Sequence, residues 1–246
     1  MDRFLYVAMS GARETLKAQA ANNHNLANVS TTGFRADLAA FQARAVEGAG
    51  YDSRVYATAS SPGWDATSGA LRDTGRDLDV AVRGEGWIAV QDADGREAYT
   101  RAGDLHIGVD GLVTNGTGRV VLGDSGPLVV PPHASLLIGA DGSISIVPLG
   151  QGPETTALVG RIKLVNPPAD TLVRGSDGLF RSKDGAEAPA DAAMQIGSGM
   201  LETSNVNAAD AMVNMIELSR RFDLQVKAIR AAEDNGASSA QLLRSR

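Results

Sequence analysis

The chain has no cysteine among its 246 residues. Disulfides, thiolate metal sites and cysteine nucleophiles are therefore excluded, and thiols say nothing about the redox compartment. Aromatic residues are few: 2 Trp, 4 Tyr and 5 Phe. With so much of its apolar content supplied by alanine, the chain can build one modest core and helices that pack closely. An excess of basic charge is also lacking. Lys and Arg number 23 against 29 Asp and Glu, a net charge of −6, which argues against a general nucleic-acid binder. No apolar run approaches the roughly 18 residues of a membrane span. Charges at Asp2, Arg3, Arg13, Glu14 and Lys17 leave no apolar stretch long enough for a cleaved signal peptide.

The two ends of the chain resemble each other and differ from the middle. Residues 3–27 carry no Pro and one Gly, and are rich in Ala and Leu. Leu5, Met9, Ala12, Leu16, Gln19, Asn23 and Leu26 alternate spacings of four and three, a heptad-like helical seam. From Asn205 to Asp234 there is neither Gly nor Pro. Ser204 or Asn205 is a suitable N-cap for a second helix. One seam there runs through Ala208, Ala211, Met215, Leu218, Phe222, Gln225, Ile229 and Ala232. A second runs through Ala209, Met212, Ile216, Ser219 and Val226. The tail at Asn235-Gly236 reads as a looser end.

The middle reads as antiparallel β structure. Candidate strands are Leu78–Arg83, Trp87–Gln91, Glu97–Arg101, Leu105–Val109, Arg119–Leu122, Ser135–Ile138, Ser143–Val147 and Thr156–Val165. Asp-Gly or Asn-Gly pairs at 94–95, 110–111, 115–116, 141–142, 177–178 and 184–185 supply hairpin turns. The stretch 36–75 reads as an extended connector, with a short strand around Tyr51–Ala57. The expected fold is α+β: a discontinuous, coiled-coil-like helical domain from both termini, plus a central antiparallel β-rich domain. Its parts are a helical segment 1–35, the connector 36–75, a β-rich domain 76–196, and a return connector and helix 197–246.

Four Asn within residues 22–28 are poor helix-interior residues but suit a helix end, where their amides meet orphan backbone groups. Gly33 then permits a reversal, and Phe34 can anchor the returning chain. The pattern fits an ordinary helix stop or a hinge formed by Asn25, Asn28, Gly33 and Phe34. Gly84-Glu-Gly86-Trp-Ile-Ala89 matches a dinucleotide fingerprint in letters. Such a motif must open a helix, whereas Trp87–Gln91 reads as a strand; a turn is the better reading and a nucleotide-dependent enzyme the alternative. Asp92-Ala-Asp94-Gly95 lacks the closing acidic ligands of a calcium loop. His24, His106 and His133 have no metal-ligand spacing. No catalytic, cofactor-binding or metal residue is assigned, and no cofactor is expected.

The stretch Asn25-Leu-Ala-Asn-Val-Ser-Thr-Thr-Gly-Phe-Arg35 closely resembles the N-terminal signature of the flagellar basal-body rod and hook family. Gly69-Ala-Leu-Arg-Asp-Thr-Gly, continuing to Val90, is similar to its central signature, and Tyr99–Asp104 with Asp110–Thr114 extends it. Leu201-Glu-Thr-Ser-Asn-Val-Asn207, with Met212–Ile216 and Arg221-Phe222, is similar to the C-terminal signature. The opening Met1–Gly11 resembles that of proximal-rod members, with a distal rod or hook subunit as the alternative. His24 stands where a small polar residue is more usual.

The resemblance implies a structural subunit of the proximal rod. Leu5, Met9, Ala12, Leu16 and Leu26 would pack with Met212, Met215, Ile216, Leu218, Phe222 and Ile229, within and between subunits, in a hollow shaft that transmits torque. The implied partners are copies of itself, other rod proteins and the flagellar type III export apparatus, with no nucleic acid and no membrane insertion. The implied location is the basal-body rod in the periplasm, reached without a cleaved signal peptide.

Overall fold

The computed structural model describes residues 2–45, 55–152 and 155–244. The chain divides into two compact units. One is drawn from residues 2–29, 36–45, 55–65 and 206–244, the other from 30–35, 66–152 and 155–205.

The terminal unit contains helix α1 (Asp2–Ala27), helix α2 (Ala208–Arg244) and an antiparallel hairpin of β1 (Asp37–Ala45) and β2 (Val55–Trp64). Residues 51–54 of the short strand read from sequence lie outside the described residues. α1 packs against α2 and against both hairpin strands. At about 1.5 Å per residue the helices run roughly 39 and 55 Å. The two helices are antiparallel. Asn22 Nδ2 donates to the Ala211 carbonyl at 2.8 Å near one end, and Gly11 faces the Gln225 side chain farther along. α1 ends where the Asn28 N–H meets the His24 carbonyl at 3.2 Å.

The coiled-coil-like helical domain expected from sequence is overturned. The described chain holds two helices, one at each end, and is otherwise mainly antiparallel strand. The heptad seam of α1 does not form a continuous buried edge. Ala8, Ala12, Thr15 and Ala18 are buried, whereas Met9 and Leu16 are about half exposed, at 50% and 49%. Coiled coils require large apolar knobs seated in facing holes. Here the most deeply buried residues of α1 are small, while Met9 and Leu16 lie half exposed.

The start of α2 also differs from the sequence reading. Asn207 is its cap: its Oδ1 accepts from Ala209 N at 3.0 Å. Asn205 is engaged elsewhere, donating from Nδ2 to the Thr67 carbonyl at 3.0 Å. The helix continues through Asn235-Gly236 rather than loosening there.

The second unit is antiparallel β throughout its described strands. A five-stranded sheet has the order Leu164–Val165, Trp87–Gln91, Glu97–Thr100, Phe180–Ser182, Leu172–Arg174. A three-stranded sheet joins His133–Ile138, Ser143–Pro148 and Ala157–Arg161. The single strand expected over 156–165 is thus two, serving different sheets. Val80–Arg83 pairs with Gln195–Ser198, and Leu71–Asp73 with Met200–Glu202. Alternation along these strands turns Val80, Val82, Ile88, Val90, Leu105, Ile144, Ile162 and Ile196 into one core. Five of the six Asp/Asn-Gly turns place Gly at positive φ; at Asn115-Gly116 the positive φ falls on Gly118 instead. There Asn115 Oδ1 accepts from the Thr117 and Arg119 N–H groups and closes the turn itself.

Candidate functional site

Two places concentrate the residues singled out by sequence: the helix pair, and the segment where the N-terminal signature meets the β unit.

On α2, every residue of the first seam is at least partly covered, with Ala211 and Leu218 buried. Met215, Phe222 and Ile229 are half-buried, as are Leu5 and Leu26 on α1. The second seam faces outward: Met212 is 54% exposed and Ile216 56%. Val213 and Leu224 are exposed beside them, as is Tyr6 on α1. The helix pair therefore buries one stripe and leaves large apolar side chains open on both members. Isolated exposed apolar residues are ordinary, but several on two packed helices make the pair the candidate interaction surface.

The residues read from sequence as a hinge each have their own bonds. Asn25 Oδ1 accepts from Asp37 N at 2.7 Å, and its Nδ2 donates to the Asp37 carbonyl at 2.9 Å. Asn28 Nδ2 donates to the His24 carbonyl at 2.9 Å, covering the helix end. His24 Nδ1 lies 2.6 Å from Asp37 Oδ2. Within the β unit, Gly33 adopts φ +66° and donates its N–H to the Glu202 carbonyl at 2.8 Å. An added Cβ would come within 2.6 Å of Ala102 N and overlap the Arg101 carbonyl. Phe34 is buried beneath the Arg174 guanidinium, 4.3 Å from the ring centroid.

Beside Gly33 lies a buried ionic cluster that sequence reasoning did not single out. Glu202 is 1% exposed, Arg35 1% and Arg101 4%. Arg101 Nη1 donates to Glu202 Oε2 at 3.0 Å and to the Val82 carbonyl at 3.3 Å, and Nη2 to the Gly84 carbonyl at 2.7 Å. Glu202 Oε1 accepts from Gly69 N at 2.8 Å. Arg35 Nη1 lies 2.6 Å from that same oxygen, though out of line for a hydrogen bond. Both guanidiniums lie over Trp87, at 5.9 and 5.5 Å from its ring. Burial pulls Arg101 below the ordinary arginine value; Glu202 opposes this and Arg35 adds to it. Each member sits inside a quoted signature, yet 101 residues separate Arg101 from Glu202 in sequence. No local spacing announces such a pairing.

Of the dinucleotide-like letters, residues 84–86 form a turn after Val80–Arg83, and Trp87, Ile88 and Ala89 lie in the strand Trp87–Gln91. No helix opens there to face a phosphate, and the Gly84 carbonyl is already held by Arg101. At the calcium-like turn, Asp92 Oδ1 accepts from Asp94 N and Arg96 N, each at 2.9 Å, and Oδ2 from Arg181 Nη2 at 3.0 Å. His106 and His133 each place Nδ1 3.0 Å from a backbone carbonyl two residues earlier. Among the described residues, no group of three or more His, Cys, Asp or Glu is placed to hold a metal ion. Among them, too, no helix is long and apolar enough to cross a membrane.

Two family models match the chain. One, described as the flagellar basal body rod FlgEFG protein C-terminal, covers residues 198–242. The other, described as the flagellar hook protein FlgE/F/G D1 domain, covers residues 81–146. The chain is 45% identical over 249 aligned residues to the flagellar basal-body rod protein FlgF of Escherichia coli K12, covering 99% of each chain. It is equally similar, with the same coverage, to FlgF of Salmonella typhimurium LT2. The flagellar basal-body rod protein FlgG of Bacillus subtilis 168 is 30% identical, with 95% of this chain and 96% of that protein covered.

Proposed function

The chain belongs to the flagellar basal-body rod FlgE/F/G family and is a structural subunit of the flagellar rod, not an enzyme, and on that premise we propose how it assembles. The helix pair is the assembly element. One observation carries this reading: Met9, Leu16, Met212 and Ile216 stay about half exposed or more while Ala12 and Thr15 on α1 and Ala211 and Leu218 on α2 are buried. Each large apolar side chain that becomes fully covered contributes about 1.5–3 kcal/mol. Copies of this chain and kindred rod proteins are the partners that would cover them. Leu5, Ala12, Leu26, Met215, Leu218, Phe222 and Ile229 form the layer beneath, and the helix pair serves as the axial core of a hollow, torque-bearing shaft. Asn25 and Asn28 fix the end of α1 as the hinge residues of the terminal unit, and Gly33 and Phe34 fix segment 30–35 within the β unit.

The proximal rod is the better-supported position. The FlgF relatives match at 45% along both full lengths, against 30% for the Bacillus FlgG. Passage through the flagellar export apparatus to a periplasmic rod belongs to the same proposal. Leu16→Asp and Ile216→Asp test it. Each variant is expected to keep the thermal midpoint of the parent chain, to fail in co-assembly with rod proteins, and to abolish swimming. Normal swimming by both would contradict the assignment.

A further inference from the structure

The cluster around Glu202 buries two cations against one carboxylate, and the two cations are not held alike. Arg101 has three hydrogen bonds, to Glu202 Oε2 and to the Val82 and Gly84 carbonyls. Arg35 has proximity to Glu202 Oε1 but no hydrogen bond from Nε, Nη1 or Nη2, although all three atoms are buried. The oxygen that Arg35 approaches also accepts from Gly69 N. A buried guanidinium in this state depends on the nearby negative charge, because its own donors are not satisfied.

The cluster also joins two distant segments of the chain. Gly33 N donates to the Glu202 carbonyl at 2.8 Å, and Asn205 N to the Phe34 carbonyl at 3.3 Å. Arg174 Nη1 closes the arrangement on the Arg35 carbonyl at 2.9 Å. Segment 30–35, entering the β unit, and segment 202–205, leaving it, therefore dock side by side.

We propose that Glu202 is a coincidence latch: segment 30–35 docks only once the returning strand Met200–Glu202 is seated, because Arg35 otherwise enters a site that Arg101 has already made positive. The latch fixes the entering and returning passages as a pair. Arg35 is a positioning residue, retained for conditional docking rather than for stability. Without Arg35, the Arg101–Glu202 pair is balanced by itself, and docking of 30–35 keeps its backbone bonds but no longer depends on the Glu202 charge.

The test uses the full chain and three variants: Glu202→Gln, Arg35→Met and their combination. Glu202→Gln keeps an acceptor for Gly69 N, removes the charge and puts an amide donor where Oε2 accepted from Arg101. It is expected to lower the thermal midpoint by roughly 10 °C and amide protection at Gly33 and Asn205 by roughly 100-fold, while amides of Val80–Arg83 and Trp87–Gln91 stay protected. Arg35→Met is expected to melt at or above the parent. In the Arg35→Met background, Glu202→Gln should shift the midpoint less than half as far. An equal shift in both backgrounds overturns the latch. So does full protection at Gly33 and Asn205 in Glu202→Gln, or a loss in Arg35→Met as large as that in Glu202→Gln. If Glu202→Gln does not fold, a folded double variant supports the latch and an unfolded one overturns it.

Discussion

Asn25 treats the backbone of Asp37 as a neighbouring strand would, accepting from its N–H at 2.7 Å and donating to its carbonyl at 2.9 Å. One side chain thus ties the last turn of α1 to the first residue of β1. Asn is suited to this because its amide carries a donor and an acceptor in one plane, as a peptide group does. Replacing Asn25 with Leu removes both bonds and is expected to cost about 1–3 kcal/mol. Asn25→Asp keeps the acceptor alone and should fall between parent and Leu. Denaturant unfolding with the helical signal as readout checks the order.

Gly33 and Gly84 both have positive φ, at +66° and +79°. Their surroundings differ: a Cβ at Gly33 would overlap the Arg101 carbonyl, whereas at Gly84 nothing lies within 4 Å. Gly84→Ala is expected to cost about 1–2 kcal/mol, the left-handed backbone penalty alone. Gly33→Ala adds a backbone overlap and should cost more than about 3 kcal/mol. Thermal unfolding of the two variants side by side gives the comparison. Equal losses would mean that segment 30–35 yields freely.

Asp92 and Asp177 share Arg181, at 3.0 and 2.7 Å from its Nη2. Burial opposes the charged form of Asp92, but the Arg96 N–H, Arg181 and the Asp94 N–H outweigh it and hold the carboxyl below its usual 3.8. For Asp177 the Arg181 hydrogen bond acts first and in the same direction, with burial opposing. A carboxyl depressed in the folded state stabilises above its unfolded value and loses that contribution as pH falls through the folded one. The β unit should therefore keep this contribution above about pH 4 and lose it below. Arg181→Met should flatten that acid limb in thermal melts between about pH 2 and 6. An unchanged limb would remove the pair from the account.

Leu218 is 9% exposed and Ile216 56%, two residues apart on one helix. Leu218→Ala is expected to destabilise the free subunit by about 2–4 kcal/mol. Ile216→Ala should change it by no more than about 0.5 kcal/mol, its effect appearing only in assembly. Unfolding of the monomer and sedimentation of the assembled protein separate the two. A large loss of monomer stability in Ile216→Ala would place that side chain in the chain's own core.

Much of the β unit was legible because its signals are local. Trp87–Gln91 was read with its observed bounds, since Gly-rich and Asp-Gly turns bracket an apolar run. The cap of α2 was misread by two or three residues, because Ser204, Asn205 and Asn207 are all good caps and sequence does not say which is already engaged. The hairpin of β1 and β2 had little to announce it in an Ala- and Ser-rich stretch without clean alternation. On α1 the seam holds in part: Ala12 is buried, with Ala8, Thr15 and Ala18 beside it, whereas Met9 and Leu16 lie half exposed.

Taken alone, the order of amino acids determined the local grammar: helix-forming ends, turn-punctuated strands between them, and signatures specific enough to indicate the family. Only the folded chain decided which stripe of each helix is covered and that one glutamate meets two arginines drawn from distant signatures. The reason is physical. Turn, cap and alternation preferences act over a few residues and leave their mark in composition. Side-chain pairing between Arg35, Arg101 and Glu202 depends on where separate strands are carried in space, and no spacing along the chain encodes that.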